Sequence, residues 1–283
     1  MGVYTQDLVA GNSDRDVVNL FYAFLQGIEI LPEYFDGEKI NHKLQKSLHA
    51  IAGFEYDISN RMHMNVEAYI KDNVQLININ RNQLYDDDSE NQDKPEYLRK
   101  PFIIESGKAY GADMTLKYEY KRLYLYFVYA LGFVNRFDGV IDYNPHFDRR
   151  HNVNFVATYT FGKDLNWEFG TRWNLGSGFP FTQTQGFYER LPFYDGINTD
   201  YTTANGELGI VYAGLNEGRL PYYHRLDVNV KRTFQLGNYA SLQASFSITN
   251  AYDRRNIFYF SRVTNEEVYQ LPFMPSIGVK LSF

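Results

Sequence analysis

The sequence predicts an all-β chain that supplies about ten strands of an antiparallel up-and-down transmembrane β-barrel. Segments of about ten residues alternate apolar and polar side chains, and this is the length that a tilted strand needs to cross a bilayer. Aromatic residues make up 17% of the chain although its mean hydropathy is −0.44, because only every second residue of such a strand contacts lipid. Short turns also alternate with long connections, which indicates a meander with one plain end and one elaborated end.

The alternation is clearest at the end of the chain, residues 222–283. Successive side chains of a strand point to opposite faces, so each strand here has one mostly apolar side and one polar side. The mostly apolar sides are His224, Leu226, Val228, Val230, Arg232 and Phe234, then Leu242, Ala244, Phe246 and Ile248, then Ile277, Val279, Leu281 and Phe283. A soluble sandwich would show the same alternation, and the repeated strand length favours the membrane barrel.

In chain order, a first strand is predicted at residues 2–10. Residues 12–41 form a long connection that holds a short helical pattern after Ser13 and Asp14. Four hairpins and a final strand are predicted after it, because apolar alternation is interrupted there by short polar or glycine-containing turns. The hairpin strands are 45–56 with 62–76, 107–120 with 123–135, 151–161 with 166–175, and 224–234 with 241–249, and the final strand ends at Phe283. The strand 123–135 is apolar on both sides, so its facing is ambiguous.

The long connections are predicted as loops. They comprise residues 80–99, 135–150, 176–221 and 251–270. The first has no hydrophobic period and is predicted to be solvated. Its acidic run could hold calcium through carboxylate oxygens, but the spaced ligands of a calcium loop are missing, so no metal site is predicted.

Composition excludes several functions. With no cysteine there are no disulfides and no thiolate chemistry, and a net charge of −6 gives no reason to expect nucleic acid binding. The longest apolar stretch, residues 123–134, is about half as long as a membrane-spanning helix requires. Residues 1–6 lack the features of a secretory signal, so we expect the chain to be a fragment of a longer outer-membrane protein.

The longest loop carries the candidate ligand contacts. Its rings and amides would suit a sugar or a peptide, which offers apolar faces edged with hydrogen-bonding groups. The alternative is that these residues stiffen the loop or extend its strands. The candidates are Phe179, Phe181, Gln183, Gln185, Phe187 and Tyr188. A hydrolase site at His146, Asp148 and His151 is the weaker hypothesis, because the neighbouring arginines favour ion pairing instead.

Several segments resemble the C-terminal barrel of TonB-dependent outer-membrane receptors, in particular the Bacteroidetes branch with a carboxypeptidase-regulatory-like domain. They are GRLPYYHRLD at 218–227, ITNAYDRRN at 248–256 and PSIGVKLSF at 275–283, with YNPHFDRRHN at 143–152 and RWNLGSGFPF at 172–181. The resemblance implies that residues 1–283 are the C-terminal portion of a plugged barrel of about 22 strands. The plug and the segment that engages TonB would then lie outside this chain.

The resemblance also implies a function and partners. We expect a receptor in the cell outer membrane that imports a bulky nutrient or metal complex, with no enzymatic activity and no cofactor. TonB would engage only the missing N-terminal part, and the assembly machinery of the outer membrane would recognise a terminal signal. That signal would be Ile277, Val279, Leu281 and Phe283. The alternative is a passive or structural barrel that closes on its own strands, embedded in the same outer-membrane lipid.

Overall fold

A computed structural model describes residues 2–6, 33–35, 37–39, 45–190, 207–237, 240–261 and 266–283. The chain is nearly all-β, as the alternation predicts. In chain order the elements are β1 (Gly2–Gln6), β2 (Tyr34–Phe35), β3 (Glu38–Lys39), β4 (Gln45–Ser59), β5 (Met62–Ile79), α1 (Glu96–Arg99), β6 (Phe102–Tyr120), β7 (Leu123–Phe137), β8 (Asp142–Tyr143), β9 (His151–Phe161), β10 (Trp167–Gly176), β11 (Pro180–Phe181), β12 (Thr184–Arg190), β13 (Glu207–Tyr212), β14 (Gly218–Arg219), β15 (Tyr223–Leu236), β16 (Ala240–Thr249), β17 (Asn256–Ser261), β18 (Glu266–Gln270) and β19 (Met274–Ser282).

Ten of these strands form one continuous antiparallel sheet in the order β1-β4-β5-β6-β7-β9-β10-β15-β16-β19, and β8 adds to β7 beside this path. Four strand pairs join through short turns at one end of the sheet, the turn end. The longer connections leave from the opposite end, the loop end. Among the described residues β1 and β19 do not pair with each other, so the sheet is not a closed small barrel. The predicted up-and-down order is confirmed.

The register produces one continuous apolar face. One row of directly paired residues crosses seven strands from β6 to β19, and every member of the row is apolar or aromatic. The row is Tyr120, Leu123, Tyr159, Phe169, Val230, Phe246 and Ile277. Within the part of the chain that the structure describes, many side chains of this face are exposed; Ile277, for example, is 81% exposed. This is the face that a membrane barrel turns to lipid.

The neighbouring row has the opposite character and defines the polar face. Its members are Glu119, Tyr124, Thr158, Gly170, Asn229, Ser247 and Ser276. The pairing also settles the facing of β7, which its sequence leaves ambiguous. Phe127 pairs with Leu116 on the apolar face, while Tyr126 pairs with Lys117 on the polar face.

The predicted loops contain more structure than the sequence suggests. The connection 176–221 includes β11 paired with β14 and β12 paired with β13, and the connection 251–270 includes the β17–β18 hairpin. Strands β5, β6 and β7 also extend beyond their predicted limits at the loop end. Most of these extra strands are short, so they offer too few alternating residues for a period to be recognised. The helical pattern predicted within 12–41 lies outside the described residues.

The prediction that residues 80–99 are a solvated loop is wrong in part. Asn80 and Arg99 are buried, and the segment ends in α1. The Asn80 side chain donates to the carbonyls of Tyr97 and Lys100, which closes the segment onto itself. Such local bonds between polar side chains and backbone leave no hydrophobic period in the sequence. No helix among the described residues is long and apolar enough to cross a membrane.

Candidate functional site

A cavity of about 420 Å³ opens on the polar face of the sheet at the loop end. Three adjacent strands, β9, β10 and β15, form its floor, and the segments before β9 and after β10 form its walls. Its lining residues are Arg149, Asn152, Asn154, Arg172, Asn174, Leu175, Phe179, Tyr223, Arg225 and Gln270. Three arginines and three asparagines make this lining rich in hydrogen-bond donors, and none of its described residues is a carboxylate.

Strand register places the polar side chains of the floor in a grid. Asn154, Asn174 and Arg225 stand directly opposite one another on the three strands, and the amide of Asn174 donates to that of Asn154. One step along β10 toward the turn end on the same face, Arg172 stands opposite Asp227. These residues alternate with apolar ones because each strand presents every second side chain to the polar face.

Arg149 forms the wall of the cavity. Its guanidinium carbon lies 4.1 Å from the ring centre of Phe179 and 5.6 Å from that of Tyr223. The side chain lies flat on Gly176, where a Cβ atom would stand 2.5 Å from that carbon. Burial lowers the pKa of the Arg149 guanidinium, and its buried Nε has no hydrogen-bond partner among the described residues. The group is therefore a partly desolvated cation held by aromatic packing.

The positive charges of the cavity are incompletely balanced. Arg225 forms an ion pair of 2.9 Å with Asp227. Within the described residues neither Arg149 nor Arg172 has a carboxylate partner. Arg172 is exposed and stands opposite Asp227, whereas Arg149 is half-buried. Since half-buried cations normally have an acidic partner, Arg149 is suited to an anion that enters the cavity from water.

A buried ion pair fixes the segment that carries Arg149. Asp148 is 1% exposed, and its carboxylate accepts hydrogen bonds from Arg219 and from the backbone N–H of Val134 at 3.1 Å. This anchors the segment before β9 to both β14 and β7. The hydrolase hypothesis gains no support here, because the Asp148 carboxylate accepts a hydrogen bond from Arg219 and His151 is hydrogen-bonded to Tyr129 at 2.9 Å.

The predicted ligand contacts divide between two places. Phe179 lines the cavity, whereas Phe181 in β11 stacks on Phe260 at 5.5 Å. The Gln183 carbonyl accepts a hydrogen bond from Ala213, at the base of the β12–β13 hairpin. The other three candidates belong to β12 and lie on that hairpin, where the rings of Phe187 and Tyr188 are exposed. They are Gln185, Phe187 and Tyr188.

The acidic run of the first long loop is engaged in hydrogen bonds. Asp87 accepts from Arg99 and, at 2.8 Å, from Lys100. Burial acts to raise the pKa of Asp87, but these two cations hold it below its usual value. Asp88 accepts from the backbone N–H groups of Glu90 and Asn91. Over the part of the chain that the structure describes, no group of three acidic or histidine side chains could hold a metal ion.

The terminal pattern lies on the apolar face. Ile277, Val279 and Leu281 of β19 stand opposite three apolar residues of β16 and are largely exposed. Those partners are Phe246, Ala244 and Leu242. Phe283 follows the end of β19. Recognition of this pattern by an assembly machinery stays a prediction.

Comparison with known proteins gives matches by structure alone. No protein family's sequence profile matches the chain, and no curated protein matches it. The ferric-catecholate import receptor Fiu from K12 E. coli has a TM-score of 0.52 at 10% identity, covering 99% of this chain and 32% of that chain. The ferripyoverdine receptor of the outer membrane of Pseudomonas aeruginosa has a TM-score of 0.51 at 11% identity, covering 85% and 27%. The ferric citrate transporter FecA has a TM-score of 0.51 at 14% identity, covering 84% and 31%.

The chain has the fold of part of an outer-membrane β-barrel. It spans about a third or less of the length of the solved receptors that it matches. In the receptor-barrel fold the polar face lines the lumen, so the cavity around Arg149 opens to the lumen at the loop end.

Sequence reasoning missed most of this lumenal cavity. It identified Phe179 but none of the three arginines as a ligand contact. A signal was available, because Asn152 and Asn154 on β9 and Arg172 and Asn174 on β10 are spaced by two. Combining that spacing with the turn between these strands would have placed the four side chains together on one face.

Proposed function

We propose that the chain is part of the wall of a TonB-dependent outer-membrane receptor that takes up a bulky nutrient or a metal complex. The observation that carries this proposal is its fold, which matches solved outer-membrane receptors over 84–99% of the chain. The continuous apolar face supports it independently, because a sheet with one lipid-type face and one polar face suits a barrel wall around an aqueous lumen.

The proposed place of the chain is the C-terminal portion of a larger barrel, with residues 1–283 supplying about ten of about 22 strands. The small share of the solved receptors that the chain covers supports this placement. So do β1 and β19, whose outer edges have no pairing partner among the described residues and would need further strands, since lipid cannot satisfy unpaired backbone groups. The plug and the segment that engages TonB would belong to the remaining part. The sequence motifs favour the Bacteroidetes branch.

The proposed orientation follows from the two ends of the sheet. Outer-membrane barrels have short turns on the periplasmic side and long loops outside the cell. The turn end would therefore face the periplasm. The loop end would make first contact with the solute through the β12–β13 hairpin and the cavity around Arg149. The apolar face would contact outer-membrane lipid, and the pattern ending at Phe283 would be recognised during assembly.

The test uses the complete gene product, expressed with its natural signal and isolated from the outer-membrane fraction. A folded barrel should run as a compact band before boiling and shift after boiling. Binding to the purified periplasmic domain of TonB, measured by calorimetry, should be saturable. A protein found outside the outer membrane or without a heat-dependent shift would overturn the barrel, and a folded protein that does not bind TonB would overturn the energy coupling.

A further inference from the structure

The lining of the cavity on the polar face favours an anionic ligand group. Its lining holds three arginines and, among the described residues, no carboxylate, in a chain whose net charge is −6. Of these three arginines, Arg225 alone forms an ion pair among the described residues. Arg149 is half-buried without such a partner, and Arg172 is exposed opposite Asp227. A planar guanidinium presents donors in a fixed fork that matches a carboxylate or a phosphate, and asparagine amides add neutral donors around it.

Arg149 is held in place before any ligand arrives. Its guanidinium lies against both Gly176 and the ring of Phe179, and the neighbouring Asp148 is fixed by Arg219. A cation that is already ordered loses little conformational entropy on binding an anion.

The position of the cavity restricts where such an anion comes from. The floor side chains Asn154, Asn174 and Arg172 all lie on the polar face, whereas the apolar row lies on the other side of the same sheet. A lipid headgroup would approach from the apolar face and cannot reach this floor through the sheet. The anion therefore belongs to a solute in the aqueous lumen.

We propose that this cavity binds a carboxylate or phosphate group of the imported solute, with Arg149 and Arg172 as its principal contacts. The proposal rests on the receptor function proposed above and names the class of solute, an anion. Asn174 and Arg225 complete the set of donors from the strands, and Phe179 with Tyr223 supplies an apolar wall for the part of the solute next to the anion.

The test measures binding of small anions by the complete gene product in detergent, using isothermal titration calorimetry. Succinate and inorganic phosphate are the two probes, and dimethyl succinate is the neutral control. The variants are Arg149→Gln and Arg172→Gln. Arg122→Gln is the matched control, because Arg122 is an exposed arginine at the turn end, far along the strands from the cavity. Gly176→Ala is a fourth variant that keeps every charge but displaces the Arg149 side chain.

We expect one of the two anions to bind and the neutral ester not to bind; which anion binds identifies the group. Arg149→Gln and Arg172→Gln should each weaken binding by about tenfold or more, since each removes a charged hydrogen-bond donor. Gly176→Ala should weaken it as well, and Arg122→Gln should leave it unchanged. Equal affinity across these variants, or no binding of either anion, would overturn the proposal.

A check of barrel folding and of TonB binding distinguishes a failure of this inference from a failure of the receptor function. Each variant is first checked for the heat-dependent shift of a folded barrel. A protein that is folded and binds TonB but binds neither anion keeps the receptor function and loses this inference. A protein that does not form a barrel overturns both.

Discussion

The hydroxyl of Tyr143 donates a 2.7 Å hydrogen bond to the carboxylate of Glu105, which is fully buried. Tyr143 reaches this carboxylate from β8, the short strand that adds to β7 at the loop end. The same carboxylate accepts hydrogen bonds from Arg136 at 3.1 Å and from Asn78 at 3.2 Å. One acidic residue of β6 therefore ties β5, β7 and β8 together on the polar face.

Replacing Glu105 should destabilise the loop end strongly. In Glu105→Gln the largely buried Arg136 keeps its charge and loses its acidic partner, which should cost about 3 kcal/mol of unfolding free energy. Tyr143→Phe removes one buried hydrogen bond and should cost about 1–3 kcal/mol. The measurement is urea denaturation of the complete gene product refolded into lipid vesicles. Glu119→Gln is the control, because Glu119 is an exposed carboxylate of the same strand. Equal midpoints for Glu105→Gln and Glu119→Gln would contradict the prediction.

The apolar face should tolerate charge far less than the polar face does. Ile277 and Ser276 are neighbours on β19 that point to opposite sides of the sheet. Ile277→Lys would place an ammonium group in lipid and should cost about 2 kcal/mol or more, whereas Ser276→Lys would extend into the lumen and cost little. Folded fractions after refolding into vesicles, measured by the heat-dependent gel shift, distinguish the two variants. If both variants refolded alike, the assignment of the faces would be wrong.

The strands were predictable because a single physical requirement fixes their pattern. A barrel wall must be apolar on one side and polar on the other, so Phe246 and Ile277 can be assigned to the lipid side from spacing alone. The sequence left the side on which each residue lies ambiguous only in β7, because Tyr126 and Phe127 are both aromatic. The register with β6 assigns them to opposite faces.

The buried polar groups at the loop end were not predictable in the same way. Glu105, Arg81 and Asp138 come from three connections or strand ends, and no periodicity links them. The cavity around Arg149 is similar, because Tyr223 reaches it from a strand that lies far along the chain. Such contacts depend on how loops fold over the sheet, which local sequence does not encode.

A methyl group at Gly111 should disturb the packing between β5, β6 and β7. A Cβ atom there would overlap the backbone oxygen of Leu131 and lie 2.8 Å from the Tyr69 hydroxyl. Gly111→Ala should therefore lower the unfolding free energy by about 1–3 kcal/mol, the usual cost of overpacking. Gly186→Ala is the matched control, since a Cβ at Gly186 meets nothing within 4 Å. Urea midpoints of the two variants in vesicles provide the comparison, and a tolerated Gly111→Ala would show that these strands can separate locally.

Asp87 should make the first long loop sensitive to acid. Hydrogen bonds from Lys100 and Arg99 outweigh burial and hold the pKa of Asp87 below its ordinary value of 3.8. The carboxylate therefore stabilises the folded loop at any pH above 3.8, and this contribution is lost as the pH falls through the lower folded pKa. Asp87→Asn should increase amide hydrogen exchange around α1 at pH 6, and the difference from the unmodified protein should shrink at about pH 2. Asp86→Asn, in the same acidic run, is the control. A difference between Asp87→Asn and the unmodified protein that persists undiminished at the acidic pH would show that the loop depends on the shape of Asp87 and not on its charge.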